Sequence, residues 1–184
     1  NASVTKVDAL VFADENLARR VRDEAQMSSY SDPAQFTNFS ANNEDIADLS
    51  GIDALTNLTS LDLSYNQITD ISPLAGLTSI TNLRIYGNQI ADLGPIAGMT
   101  DLSSLQGISN AITDLSPLAS LTNLSTIDVN DNMIADLSPL AGLGSISGLY
   151  VGDNVITDVS PLASLDYVNT LDLSDNQITT GVAS

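Results

Sequence analysis

Cysteine and histidine are both absent from the 184 residues. Their absence excludes disulfides, thiolate nucleophiles, histidine-based triads and zinc sites built on Cys or His ligands. It does not fix the compartment, because a cysteine-free chain suits an exported protein and a cytosolic one alike. No run of about 18 consecutive apolar residues occurs, so the sequence offers no membrane-spanning helix. No basic, apolar, small-residue leader is present. The chain starts at Asn1 rather than Met, which leads us to expect a leader already removed.

Basic residues are scarce. Five Lys and Arg stand against 23 Asp and Glu, a net charge of −18. Such a surface repels phosphate backbones and anionic lipid, which argues against nucleic acid and membrane insertion. Lys6, Arg19, Arg20 and Arg22 lie near the N-terminus and only Arg84 lies beyond, while every acid after Glu44 is Asp. An Asp-rich, Lys-poor surface points to a salty habitat, where screening relieves self-repulsion.

What the chain does contain is a repeat. Asn66, Asn88, Asn110, Asn132, Asn154 and Asn176 are spaced 22 residues apart. Five residues before each stands Leu61, Leu83, Leu105, Ile127, Leu149 or Leu171, and two after each stands Ile68, Ile90, Ile112, Ile134, Ile156 or Ile178. Pro73, Pro95, Pro117, Pro139 and Pro161 follow at seven. A degenerate coil precedes these, with Phe36, Phe39, Ala41, Ile46, Leu49 and Ile52 in the apolar columns and Glu44 in place of Asn. Terminal repeats are commonly atypical because they face a cap.

Each repeat reads locally. Leu61 and Leu63 alternate with Asp62 and Ser64, the period of a half-buried strand. Asn66 turns the chain, its amide satisfying backbone groups of its own turn and of the neighbouring coil. Ser72-Pro73 starts a short 3₁₀ turn, with Ser as cap and Pro in the first turn position. Gly94 takes the Ser position in one coil. Successive strands then stack in parallel, ~4.8 Å apart. A helix from about Glu15 to Gln26, N-capped by Asp14 and with Leu17 and Val21 on one face, covers the open end.

The stretch LTNLTSLDLSYNQITDISPLAG (residues 55–76) resembles the 22-residue repeat of bacterial internalins, and VFADENLARRVRDEA (residues 11–25) resembles their helical cap. The expected fold is α/β: a leucine-rich-repeat solenoid with a parallel β-sheet on the concave face, short 3₁₀ turns on the convex face and an α-helical N-terminal cap. Residues 1–32 are assigned to the cap and 33–184 to about seven 22-residue coils, together one cooperative domain. The pattern decays after Asn176, so a fragment of a longer protein is expected. The resemblance implies a bacterial protein, secreted or at the cell surface, whose curved, right-handed solenoid grips a partner on the concave face. Host-cell invasion is not implied, because no receptor-binding residue belongs to the shared motif.

A site belongs where packing leaves freedom, at the outward strand positions. There Tyr65, Arg84 and Tyr86 fall on adjacent coils, with Gln106, Asp128 and Tyr150 further along. Tyr and Arg are enriched at binding hot spots, and tyrosine rings also suit the apolar faces of sugars. The plain alternative is that the rings pack across the sheet, and that Arg84 neutralises Asp62. Asp128, Asp131, Asp153, Asp172 and Asp175 concentrate negative potential. They form either a solvated acidic face or a weak Ca²⁺ site, with Asp131, Asp153 and Asp175 as the metal candidates. No other cofactor is expected. Asp70, Asp92, Asp114, Asp136 and Asp158, one per coil, are read as carboxylates that accept backbone N–H groups of the following turn. Gly107 replaces an aliphatic strand residue, so Ile108 either turns inward through a bulge or adds an apolar contact to the concave face.

The function expected is non-catalytic recognition of an extracellular protein or glycan; the alternative is a structural spacer without a ligand of its own. Catalysis has little to stand on. There is no Gly-rich phosphate loop, and a shallow open face is a poor place to raise a carboxyl pKa.

Overall fold

The computed structural model describes residues 6–181; residues 1–5 of the expected cap and 182–184 of the expected solenoid lie outside the described residues. Helix α1 (Glu15–Ser28) starts at Asp14, whose side chain accepts the N–H groups of Asn16 and Leu17. It stops at Ser29, which turns left-handed and bonds back to the Ala25 and Gln26 carbonyls. Leu17, Ala18, Val21 and Ala25 form its buried stripe. Of these, Leu17, Val21 and Ala25 join Phe36 and Phe39 of the first coil in one continuous core.

Seven short strands follow: β1 (Asn38–Ser40), β2 (Ser60–Asp62), β3 (Asn82–Arg84), β4 (Ser104–Gln106), β5 (Thr126–Asp128), β6 (Ser145–Tyr150) and β7 (Tyr167–Asp172). They form one parallel sheet in chain order, each residue paired with the one 22 positions on. Opposite the strands run 3₁₀ turns such as Ser72–Leu74 and Gly94–Ile96. Between the two layers the aliphatic columns are shut off from water: Leu61, Leu83, Leu105, Ile127 and Leu149 are fully buried. Each such side chain contributes on the order of 1.5–3 kcal/mol of burial. The last coil is less covered, with Leu171 45% exposed.

The asparagine column ties the coils together. The Asn66 side-chain carbonyl accepts the N–H groups of Glu44 and Ile46, and its amide donates to the carbonyls of Ala41, Leu63 and Ser64. Asn88, Asn110, Asn132, Asn154 and Asn176 repeat the amide pattern, each also accepting an N–H from the preceding coil.

The turn starts differ from expectation. Ser72 does not cap; the preceding Ile71 holds the cap position without a side-chain bond. Asp70 supplies the missing acceptors, taking the Ser72 N–H at 2.7 Å and its hydroxyl at 2.9 Å. Asp92, Asp114, Asp136 and Asp158 likewise take the N–H two residues on. The aspartate row thus accepts N–H groups of the following turn, as its one-per-coil spacing predicts. At Gly107 the ladder continues unbroken, with Gly107 donating to Asp128 and Ser109 to Asn130. Ile108 stays half-buried on the sheet face, so there is no bulge.

Candidate functional site on the sheet face

Parallel register fixes which outward residues become neighbours. Ser40, Asp62, Arg84, Gln106, Asp128, Tyr150 and Asp172 form one continuous row across the sheet. The residue before each column asparagine, and before Glu44 in the first coil, is left-handed throughout: Asn43, Tyr65, Gly87, Ser109, Asp131, Asp153 and Asp175. Gly, Asn and Asp accept that backbone at little cost. Tyrosine does not, yet Tyr65 sits there at φ 55° with 61% of its surface exposed.

The next coil is shaped around that ring. Tyr65 and Tyr86 meet edge to face, centroids 5.0 Å apart and planes at 88°. Gly87, itself left-handed at φ 67°, lies under the ring; a Cβ there would come within 2.6 Å of Tyr65 Cδ1. Arg84 stands two residues before Tyr86 on the same face. It is in register with Asp62, but among the described residues the two form no ion pair. Asp62 instead accepts the Ser64 N–H at 3.1 Å. Neutralisation of Asp62 is therefore not what occupies the Arg84 guanidinium.

Tyr65, Arg84 and Tyr86 thus come together, with Gln106 beside Arg84 and Asp128 beside Gln106. Tyr150 stands apart from the tyrosine pair, three coils beyond Tyr86, its ring lying over Gly148. Burial pushes the Asp128 carboxyl above its usual range, the Asn130 N–H pulls it back, and Asp172 raises it again. The expectation that this open face desolvates no carboxylate fails at this one residue. Asp172 is held low by the Ser174 hydroxyl and N–H. Asp131, Asp153 and Asp175 stand exposed in the left-handed row. Among the described residues no three acidic side chains are grouped to hold a metal ion.

Comparison with known proteins gives the chain its family. Models of leucine-rich repeats match residues 38–76 and 104–142 as double repeats, and residues 167–181 as a single one. No curated protein sequence matches. Among solved structures, internalin C2 of Listeria monocytogenes is 36% identical over 97% of this chain and 91% of its own, with a TM-score of 0.71. The chain belongs to the internalin family.

Internalin F of the same organism is 26% identical over 96% of this chain and 80% of its own, with a TM-score of 0.42. A leucine-rich-repeat protein of Leptospira interrogans, 18% identical over 72% of this chain and 41% of its own, shares the fold at a TM-score of 0.62. The internalin scaffold is a bacterial leucine-rich-repeat module of the protein-binding kind. In this internalin no described helix is long and apolar enough to cross a membrane.

One feature of the internalin face escapes the repeat pattern. Where α1 meets the first strands, a hollow of about 300 Å³ opens, lined by Arg20 and Glu24 of the helix and by Asn38, Ser40, Ser60, Asp62 and Arg84 of the sheet. Arg20 is committed, 3.0 Å from Glu24 and 5.6 Å above the Phe39 ring. The outward column of Asn38 and Ser60 lies two residues before the Asp62 column, and its 22-residue spacing was the available signal. What makes it a cavity is the helix packed beside it.

Proposed function

We propose that this chain is the non-catalytic binding module of a secreted or surface-attached bacterial protein. It takes an extracellular protein or glycan on the concave sheet face. Tyr65, Arg84 and Tyr86 anchor the ligand, and Gln106, Asp128 and Tyr150 extend the row. The observation that carries this reading is Tyr65. A tyrosine in left-handed backbone costs on the order of 1–2 kcal/mol, at a position where other coils hold Asn, Gly, Ser or Asp. Its ring stays mostly in water, so burial does not offset that cost. Local strain beside an unpaired guanidinium supports recognition as the role of this surface.

The test is Tyr65→Asn. Asparagine accepts the left-handed backbone, and that relief offsets the lost ring pair, worth about 0.5–1.5 kcal/mol. Stability to urea should therefore change by less than about 1 kcal/mol. Binding to partners found on arrays of extracellular proteins and glycans should fall at least about tenfold. A variant that loses stability and keeps its partners makes Tyr65 a packing residue and moves the site elsewhere; no partner for the parent chain either favours the spacer.

A further inference from the structure

The corner hollow holds a set of groups that the fold does not use. Among the described residues the Ser40 and Ser60 hydroxyls have no hydrogen-bond partner, and the Arg84 guanidinium has neither hydrogen bond nor ion pair. The Asn38 amide donates to Thr37, and Asp62 has accepted a single N–H. The hollow therefore offers one uncommitted guanidinium, two free hydroxyls, and acceptor capacity on an amide and a carboxylate. At about 300 Å³ it sits at the lower end of the ~300–1,000 Å³ of small-molecule sites. That is room for one ring, not for a chain.

These groups select a chemistry. A fork-shaped guanidinium matches a carboxylate through two parallel bonds. Hydroxyls, an amide and a second carboxylate match a ring bearing several hydroxyls. An acidic amino-acid side chain would use only the Arg84 end and leave the rest unmatched. The net charge of −18 repels polyanions over long range, which restricts the ligand to an isolated negative charge. We infer that the hollow between α1 and β1–β3 binds one carboxylated sugar unit of an otherwise neutral glycan, its carboxylate on Arg84 and its hydroxyls on Ser40, Ser60 and Asp62. The rest of the glycan leads toward Tyr86 and Tyr65 on the same face. The inference rests on the concave-face reading above.

The experiment is amide-resolved NMR titration of the full chain with sialyllactose and with an aldobiouronic acid, one uronate on one neutral sugar. Lactose and cellobiose serve as neutral controls, and N-acetylglutamate amide as a peptide-like carboxylate. The expected result is saturable shifts at residues 38–40, 60–62 and 84 with at least one acidic sugar. The neutral sugars and the glutamate derivative should bind at least about tenfold more weakly. Arg84→Gln should bring acidic and neutral sugars level. Ser60→Phe, which fills the hollow, should abolish the shifts while the melting temperature shows both variants folded. The inference is overturned if neither acidic sugar shifts these amides at about 10 mM, if the glutamate derivative binds as well, or if Arg84→Gln changes nothing. Should the acidic sugars fail while a partner still depends on Tyr65, the hollow assignment falls and the concave-face reading stands.

Discussion

Asn88 sets the terms at the scale of the residue. Its carbonyl takes one N–H from the previous coil, and its amide gives hydrogens to the Leu63, Ile85 and Tyr86 carbonyls. Only an amide provides donor and acceptor in that volume. Asn88→Asp keeps the shape and reverses the donor, setting a carboxylate against three carbonyls with almost no water at hand. We expect a loss of about 3 kcal/mol or more at neutral pH, because each buried group left unmatched costs about 1–3 kcal/mol. Urea unfolding measures it, and a variant within 1 kcal/mol of the parent would show that the column is not what joins the coils. This role was legible in the sequence, because a side chain kept at one position in six coils has to meet backbone. Ser72 does not take the cap role expected of it, since its hydroxyl donates to Asp70 and the Leu74 and Ala75 N–H groups go to the Ile71 and Ser72 carbonyls. The fit of Gly87 under Tyr65 was hidden altogether. Glycine is ordinary at a left-handed position, and only the neighbouring coil reveals that the ring lies over it.

At the scale of the element, α1 matters because it closes the core. Asp14 does two jobs there. One carboxylate oxygen caps the helix, and the other accepts the Ala47 and Asp48 N–H groups of the first coil at 2.9 and 3.4 Å. Burial alone would push its pKa up; the N–H groups of Ala47, Leu17, Asp48 and Asn16 outweigh burial and hold it below the ordinary 3.8. A carboxyl with a depressed folded pKa stabilises above its unfolded value, and that stability is lost as pH falls through the folded one. Asp14→Ala should therefore cost about 1–2 kcal/mol at pH 7, and the gap between parent and variant should narrow as the pH drops below about 3.8. Thermal melts of both proteins from pH 7 to pH 2.5 measure this; a gap of constant size would mean that the carboxylate charge plays no part. The helix, its cap residue and its buried stripe follow from local pattern. Its end at Ser28 rather than near Gln26 does not, because Ser29 can take the left-handed turn as well as its neighbours. The hollow beside Arg20 follows least of all, being made by two elements that meet only in the folded chain.

Over the whole molecule, charge is distributed against the fold. The ion pairs of Lys6, Arg19 and Arg20 all lie in or against the N-terminal cap. The solenoid carries one cation, Arg84, and a row of aspartates that runs from Asp70 to Asp158 and stops at Thr180 in the last coil. Consecutive coils lie ~4.8 Å apart, which brings the carboxylates of the row near one another; the Ser138 hydroxyl and N–H hold the Asp136 carboxyl below its usual range, with burial and Asp114 pulling the other way. Unfolding separates these charges, so repulsion favours the unfolded chain. Added salt shortens the Debye length from about 10 Å at 0.1 M to about 3 Å at 1 M. That removes repulsion between non-adjacent coils first. The same salt weakens the cap's exposed ion pairs, but each of those is worth only about 0–1 kcal/mol. Repulsion summed over the coils outweighs them, and the melting temperature should rise with NaCl. The rise should be steepest below about 0.5 M, where screening changes fastest. A general strengthening of apolar burial by salt would instead continue evenly to higher concentration. Calorimetric scans from low salt to molar NaCl separate the two: an early, saturating rise assigns the instability to the aspartate rows. A flat or falling curve over that first interval would mean that the rows are already relieved in the native fold by the N–H and hydroxyl groups they accept.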